Sequence, residues 1–177
     1  MKKLLILTSL ISFLTTANAS AKTEGNYVGL NFIDTASSNQ NHNSNFGLGA
    51  DYKYAFNFGG LFLAPGVFYD YNRLSQPNSP TLKYSYGAKL NIGYDVTDKF
   101  APFVTVGASQ TRIQESAKNG MLLGVGFKYA LNSDVDFTAA YEMTQFGLAG
   151  KAGSVIDGTD KINATYRVAK VGATYHF

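Results

Sequence analysis

Runs of alternating apolar and polar residues recur eight times along this chain. The stretches between them are by turns short and long, and no run after the N-terminus has 18 or so consecutive apolar residues. Together these observations predict an all-β fold, an eight-stranded antiparallel up-and-down transmembrane β-barrel. A period of two with one apolar face marks a strand between a greasy and a polar environment. Mean hydropathy is near neutral, at −0.08. A membrane-spanning chain reaches that value only if apolar and polar residues alternate.

The N-terminus is set apart from this pattern. Lys2 and Lys3 precede an apolar run from Leu4 to Leu14, and small residues follow with Ala-x-Ala spacing at Ala17–Ala19 and Ala19–Ala21. Residues 1–21 are thus expected to be a signal peptide, cleaved after Ala19 or Ala21, with one barrel domain over residues 22–177. Removing Lys2 and Lys3 leaves 13 basic residues against 12 acidic ones, a balance that argues against a nucleic-acid partner. The chain has no cysteine, so thiol chemistry and cysteine-ligated metals are excluded.

The strands follow in order. Val28, Leu30 and Phe32 define the first, with Tyr27, Gly29 and Asn31 opposite. The second sets Phe46, Leu48, Ala50, Tyr52 and Tyr54 against Asn45, Gly47, Gly49, Asp51 and Lys53. Leu61, Leu63, Val67, Tyr69 and Tyr71 mark the third, with Phe62 and Phe68 opposed and Pro65 interrupting. The fourth alternates from Leu82 to Val96. Pro102, Val104, Val106 and Ala108 mark the fifth, with Phe103 opposed; the sixth runs from Met121 to Tyr129 and the seventh from Val135 to Met143. The eighth carries Val171, Ala173, Tyr175 and Phe177 on one face and Lys170, Gly172, Thr174 and His176 on the other. Its phase changes between Tyr166 and Val171, which predicts a bulge; Pro65 and Pro102, lacking a ladder donor, predict bulges or strand starts. Short turns are expected near 57–60, 97–99 and 132–134, and long polar loops near 34–44, 72–81, 110–119 and 145–161. Short turns at one end and long loops at the other are a mark of membrane barrels.

A soluble lipocalin-type barrel would place the apolar face inside. Three features point the other way. Tyr54, Tyr94, Tyr129 and Tyr175 lie near the short turns, and Tyr69, Tyr71, Tyr84, Tyr86 and Tyr141 near the long loops, forming two girdles on the apolar face at headgroup depth. Gly47, Gly49, Gly87, Gly93, Gly107, Gly124, Gly126 and Gly172 all fall on the polar face, as a crowded lumen requires. That face also carries Lys53, Lys83, Lys89, Lys128 and Lys170 with Asp51, Asp70, Asp95, Asp136 and Glu142. Five charges against five imply a paired lumen network, with Asp70 meeting Lys83 and Lys128 meeting Asp136 on neighbouring strands. The apolar face is expected to carry no charge at membrane depth, where a lysine would cost about 2–4 kcal/mol.

The ending resembles the assembly signal of the small outer-membrane β-barrel superfamily of Gram-negative bacteria, the OmpA/OmpX/opacity-protein type, often called porin-like. Lys170, Gly172, Tyr175 and Phe177 match its positions, and Ala101–Val104 with Gly107 and Gly124–Tyr129 are phrases typical of it. The resemblance implies a monomer in the cell outer membrane, inserted by the outer-membrane assembly machinery with the help of periplasmic chaperones, and surrounded by outer-membrane lipid.

No arrangement of residues in the sequence forms a catalytic or metal site. His42 stands near Ser44 and Asp34, and His176 is expected to point inward at the periplasmic rim. Asp157-Gly158-Thr159-Asp160 lacks the other ligand positions of a calcium loop and is read as a turn. The sequence therefore predicts no catalysis, cofactor or metal. It predicts a barrel whose polar loops meet a host or other surface ligand in adhesion and which supports the envelope. A narrow porin-like channel is the alternative, and a lipid-modifying enzyme a weaker one.

Overall fold

The computed structural model describes residues 24–37, 44–72, 82–113, 116–146 and 165–177. Residues 1–21, expected to be a signal peptide, together with His42, Asp157–Asp160 and most of the long connections, lie outside these residues. Eight strands follow in order: β1 Gly25–Ser37, β2 Ser44–Phe58, β3 Leu61–Tyr71, β4 Leu82–Tyr94, β5 Phe100–Ile113, β6 Ser116–Ala130, β7 Val135–Phe146 and β8 Thr165–His176. Each pairs antiparallel with its chain neighbours, and β8 returns to β1, with Tyr27 opposite His176 and Phe32 opposite Val171, closing the barrel. Closure leaves no strand edge in the bilayer, where an unpaired backbone group would cost several kcal/mol.

The register sets the stagger. A perpendicular walk from Gly47 passes Ile33, Lys170, Ala140, Gly126, Phe103, Gly93 and Phe62, and regains β2 at Asn57, ten residues further along. That stagger with eight strands tilts them by about 40° and leaves an interior that side chains can fill.

The apolar face is the outer one: Leu30 and Phe32 are 68% and 73% exposed, while Asn31 between them and Tyr27, Ile33 and Thr35 on either side are buried. Lipid, not water, is the fitting solvent for that wall. The interior near the short turns packs Tyr27, Ala55, Phe62, Ala64, Ala101 and Phe103. Two glycines make room for the inward rings. A Cβ at Gly93 would lie 2.3 Å from Cζ of Phe62, and one at Gly126 would lie 2.6 Å from Cζ of Phe103.

The short turns are held by their own side chains. Gly59 and Gly60 take φ of 66° and 99°, which favour glycine, and the Gly60 N–H donates to Asn57 Oδ1 at 3.0 Å. Asn132 Oδ1 accepts from the N–H groups of Asp134 and Val135 at 2.9 and 2.8 Å. Thr97 Oγ1 accepts from Phe100 N–H at 3.0 Å.

Three expectations are corrected. The chain makes no bulge at Pro65: β2 and β3 keep one register, with Lys53 opposite Gly66 and Phe56 opposite Leu63, and β4 pairs straight through it. A missing N–H removes one ladder bond without adding a residue. Pro102 lies at the third position of β5, beyond the last β4 pair, Gly93 with Phe103. Nor does β8 bulge, since its registers with β7 and β1 are constant throughout. Val168 therefore lines the lumen with Tyr166, and Arg167 is exposed on the outer face. The irregularity falls instead between Leu82 and Tyr84.

The 110–119 loop is also replaced by strand. Ile113 pairs directly with Ser116, leaving residues 114–115 as the connection. Gln110, Thr111, Arg112, Lys118 and Asn119 continue the ladder with polar side chains, which an apolar pattern does not register.

Gly93→Leu is expected to overpack the Phe62 layer and cost at least about 1–3 kcal/mol, read from urea unfolding of protein folded in lipid vesicles. Adding Phe62→Ala is expected to restore part of the loss and not all, because the Pro102 carbonyl oxygen also lies 2.5 Å from that Cβ position. Unchanged stability of the single variant would refute the packing.

Candidate functional site: the lumen and the outer rim

Alternation turns Asp51, Asp70, Lys89, Lys128, Asp136, Glu142 and Lys170 inward, and all are buried. Six charges join in one chain of contacts. Lys170 Nζ lies 2.7 Å from Asp70 and 2.8 Å from Glu142. Lys89 Nζ lies 3.8 Å from Glu142 and 3.7 Å from Asp51, and Lys53 lies 3.6 Å from Asp51. Asn31 Nδ2 donates to Asp51 at 2.8 Å. Three lysines face three carboxylates, so the group is neutral, and its contacts run across the lumen from β8 to β3 and from β4 to β7.

Aromatic faces complete the cations' surroundings. Lys170 and Lys89 lie 4.7 and 5.5 Å from the Phe68 ring. Towards the short turns, Lys128 lies 5.0 Å from the Phe62 ring and 5.5 Å from that of Tyr27, in the electrostatic reach of Asp136 and Asp95. The register sets Lys128 opposite Thr138 and Asp136 opposite Ala130, one diagonal step apart. Asp95 sits at the turn end, accepting from Asn57 Nδ2 at 3.2 Å. His176 is buried, stacked on Tyr27 at 4.6 Å, with Nε2 2.8 Å from the Glu24 carbonyl oxygen.

Lys83 does not belong to this network. It stands beside the register shift at the outer end of β4 and is exposed, while Asp70 lies opposite Ser85 and takes Lys170 from the far wall. The apolar-to-polar alternation found the inward charges but not Asn31 as the partner of Asp51, nor Phe68, Tyr27 and Phe62 as partners of the lysines. An inward aromatic on a polar face was the available signal.

Among the described residues, two cavities of about 20 Å³ each lie in the lumen, each with room for about one water. Lys53 lines the one nearer the short turns, and Asp70 and Glu142 line the other. The ion pairs lie between them. Above the second cavity Phe146 meets Tyr166 edge-on at 5.5 Å, and Thr35 Oγ1 donates to buried Asn72 Oδ1 at 3.3 Å.

On the outer face, Tyr69, Tyr71, Tyr86, Tyr94, Tyr141 and Tyr175 are exposed, and Tyr54, Tyr84 and Tyr129 partly so. All nine alternate outward. At the loop end Tyr69, Tyr84 and Tyr86 stack in sequence, with centroids 6.0 and 6.2 Å apart. Asp34 and Arg167 also take outward positions there, close to the outer ends of their strands, on β1 and β8. On β8, Lys170 and Gly172 point inward, whereas Tyr175 and Phe177 are exposed.

The profile of the outer membrane protein beta-barrel domain matches residues 5–177. The chain belongs to that family. Among solved structures, Ail, the attachment invasion locus protein of Yersinia pestis, is 12% identical over 87% of this chain and 99% of its own, with a TM-score of 0.58. Neisserial surface protein A is 18% identical over 86% and 97%, with a TM-score of 0.54. The N-terminal barrel domain of Pseudomonas aeruginosa OprF is 14% identical over 87% and 99%, with a TM-score of 0.50. At these identities the likeness is one of fold. A further Ail structure, 12% identical over 87% and 97% with a TM-score of 0.56, holds the heparin analogue sucrose octasulfate. No curated protein sequence matches the chain.

Lys170→Met is expected to leave Asp70 and Glu142 buried without their shared cation and to cost about 3–5 kcal/mol. Lys83→Met, an exposed change, is expected to stay within about 0.5 kcal/mol. Urea unfolding in vesicles measures both, and equal effects would contradict the network.

Proposed function

We propose that this outer-membrane barrel works at its outer surface, presenting polar loops for adhesion to a host or other surface ligand and stiffening the envelope as a monomer, without catalysis. The observation that carries this reading is the filled lumen. A neutral chain of ion pairs occupies the mid-barrel with space for about one water on either side, which opposes a channel and leaves the rim as the working surface. Recognition commonly sits on loops held by a rigid scaffold. Of the four connections at one end, 38–43 and 147–164 are rich in Asn, Ser and Gly, 72–81 is long as well and 114–115 is short, while those at the other end are all short turns. Ail, an attachment invasion locus protein with the same barrel fold, is consistent with this reading. In the same reading residues 1–21 direct export to a Gram-negative outer membrane, and β8, with Lys170, Gly172, Tyr175 and Phe177, is the strand the insertion machinery engages.

Replacing 38–43 and 147–164 by short turns is expected to abolish binding of expressing cells to matrix- and heparin-coated surfaces, while the folded band on an unheated gel persists. Undiminished binding by folded protein would overturn the proposal.

A further inference from the structure

The loop end of the outer wall is not uniform. On β4, β5 and β6 a hydrogen-bonded polar ladder caps the apolar surface. Arg112 Nη1 donates to Tyr84 Oη at 3.1 Å. The Tyr86 hydroxyl donates to Gln110 Oε1, and Gln110 Nε2 donates to Asn119 Oδ1 at 2.9 Å. All of these groups alternate outward with Ala108 and Met121, which are exposed. They stand directly above lipid-facing wall. Below Tyr86 and Gln110 the outward residues are Ala88 and Ala108, paired opposite each other, which add little bulk and leave a shallow strip. Elsewhere on the rim, β1 and β2 carry Phe32, Phe46 and Leu48, and the charges on β1 and β8, Asp34 and Arg167, offset each other.

We infer that Arg112, Tyr84, Tyr86, Gln110 and Asn119 form a site for the phosphate-bearing headgroup of an outer-leaflet glycolipid, whose acyl chains lie on the Ala88–Ala108 strip. The wall below the ladder faces acyl chains, so the molecule covering it is the one whose headgroup reaches Arg112. Arginine presents a planar fork matched to phosphate, and the tyrosines offer amphipathic rings at headgroup depth. Lys83 and Lys118 are exposed on the same arm, on its lumen side by alternation. They raise the positive potential of this sector without touching the ladder. In sequence, Glu115 is the single carboxylate between Lys99 and Asp134, and it lies outside the described residues.

Native mass spectrometry of folded protein in zwitterionic detergent, titrated with lipid A bisphosphate or with its dephosphorylated form, tests the site. Bound lipid A is expected to fall about fivefold in Arg112→Gln and less in Arg112→Lys, since a single charge-assisted contact accounts for roughly that factor. Dephosphorylated lipid A is expected to bind the intact protein at the low level of Arg112→Gln. Arg167→Gln, which removes the same charge from β8, is expected to keep at least about half of the binding. Equal binding by Arg112→Gln, equal binding of the two lipids, or an equal loss in Arg167→Gln would overturn the assignment. An unheated gel checks that each variant is folded, and the outcome does not depend on what the loops bind.

Discussion

Lys170 holds this barrel's interior together. It reaches across the lumen to place one ammonium between Asp70 of β3 and Glu142 of β7, and Glu142 passes the contact to Lys89 and so to Asp51. An eight-stranded barrel has too little width for a water column and too much for backbone alone. Its inward side chains must therefore satisfy each other. A carboxylate buried alone would be strongly disfavoured, and paired charges with further hydrogen bonds are the way such groups persist. Neutrality within the chain of contacts, and Phe68 against two of its ammonium groups, make the arrangement self-contained.

The glycines, the register and the girdle follow from the same constraint. Gly124 allows Glu142 to lie close, since a Cβ there would stand 2.8 Å from its Cγ. The ten-residue stagger brings strands from opposite walls into contact at one level. With the buried charges paired inside, the outer wall is free to be apolar, with polar atoms returning only at the two ends. There Tyr52 donates to Asn26 Oδ1 at 2.7 Å at one end, and the Arg112 ladder caps the other.

Much of this was legible in the sequence, and the misses share a cause. Strict alternation oriented β2, β4, β6 and β7 correctly because most of the apolar residues there face lipid. The assumption failed on β8, where Tyr166 and Val168 are apolar and yet inward, part of a layer with Leu122 and Phe146 inside the loop end. It failed again on β5 and β6, where the strands outlast their apolar residues. The inward charges were legible by type and position. Their partners were not: Lys170 and Asp70 stand 100 residues apart, and only the closed register brings them together. Sequence neighbours such as Lys83 and Asp70 look equally plausible, but Lys83 is exposed at the rim and Asp70 takes Lys170 instead.

In the proposed reading the barrel acts through what it displays, with lipid at the wall below the rim and surface ligands at the loops above it. The claim beneath both is that the lumen is closed. Single-channel recording from purified protein in planar bilayers tests it most directly. The account predicts a silent trace for the intact chain and conductance steps once Lys89 and Lys170 are both replaced by alanine in a variant that still folds. Steady current through the intact chain, unaltered by that replacement, would contradict it.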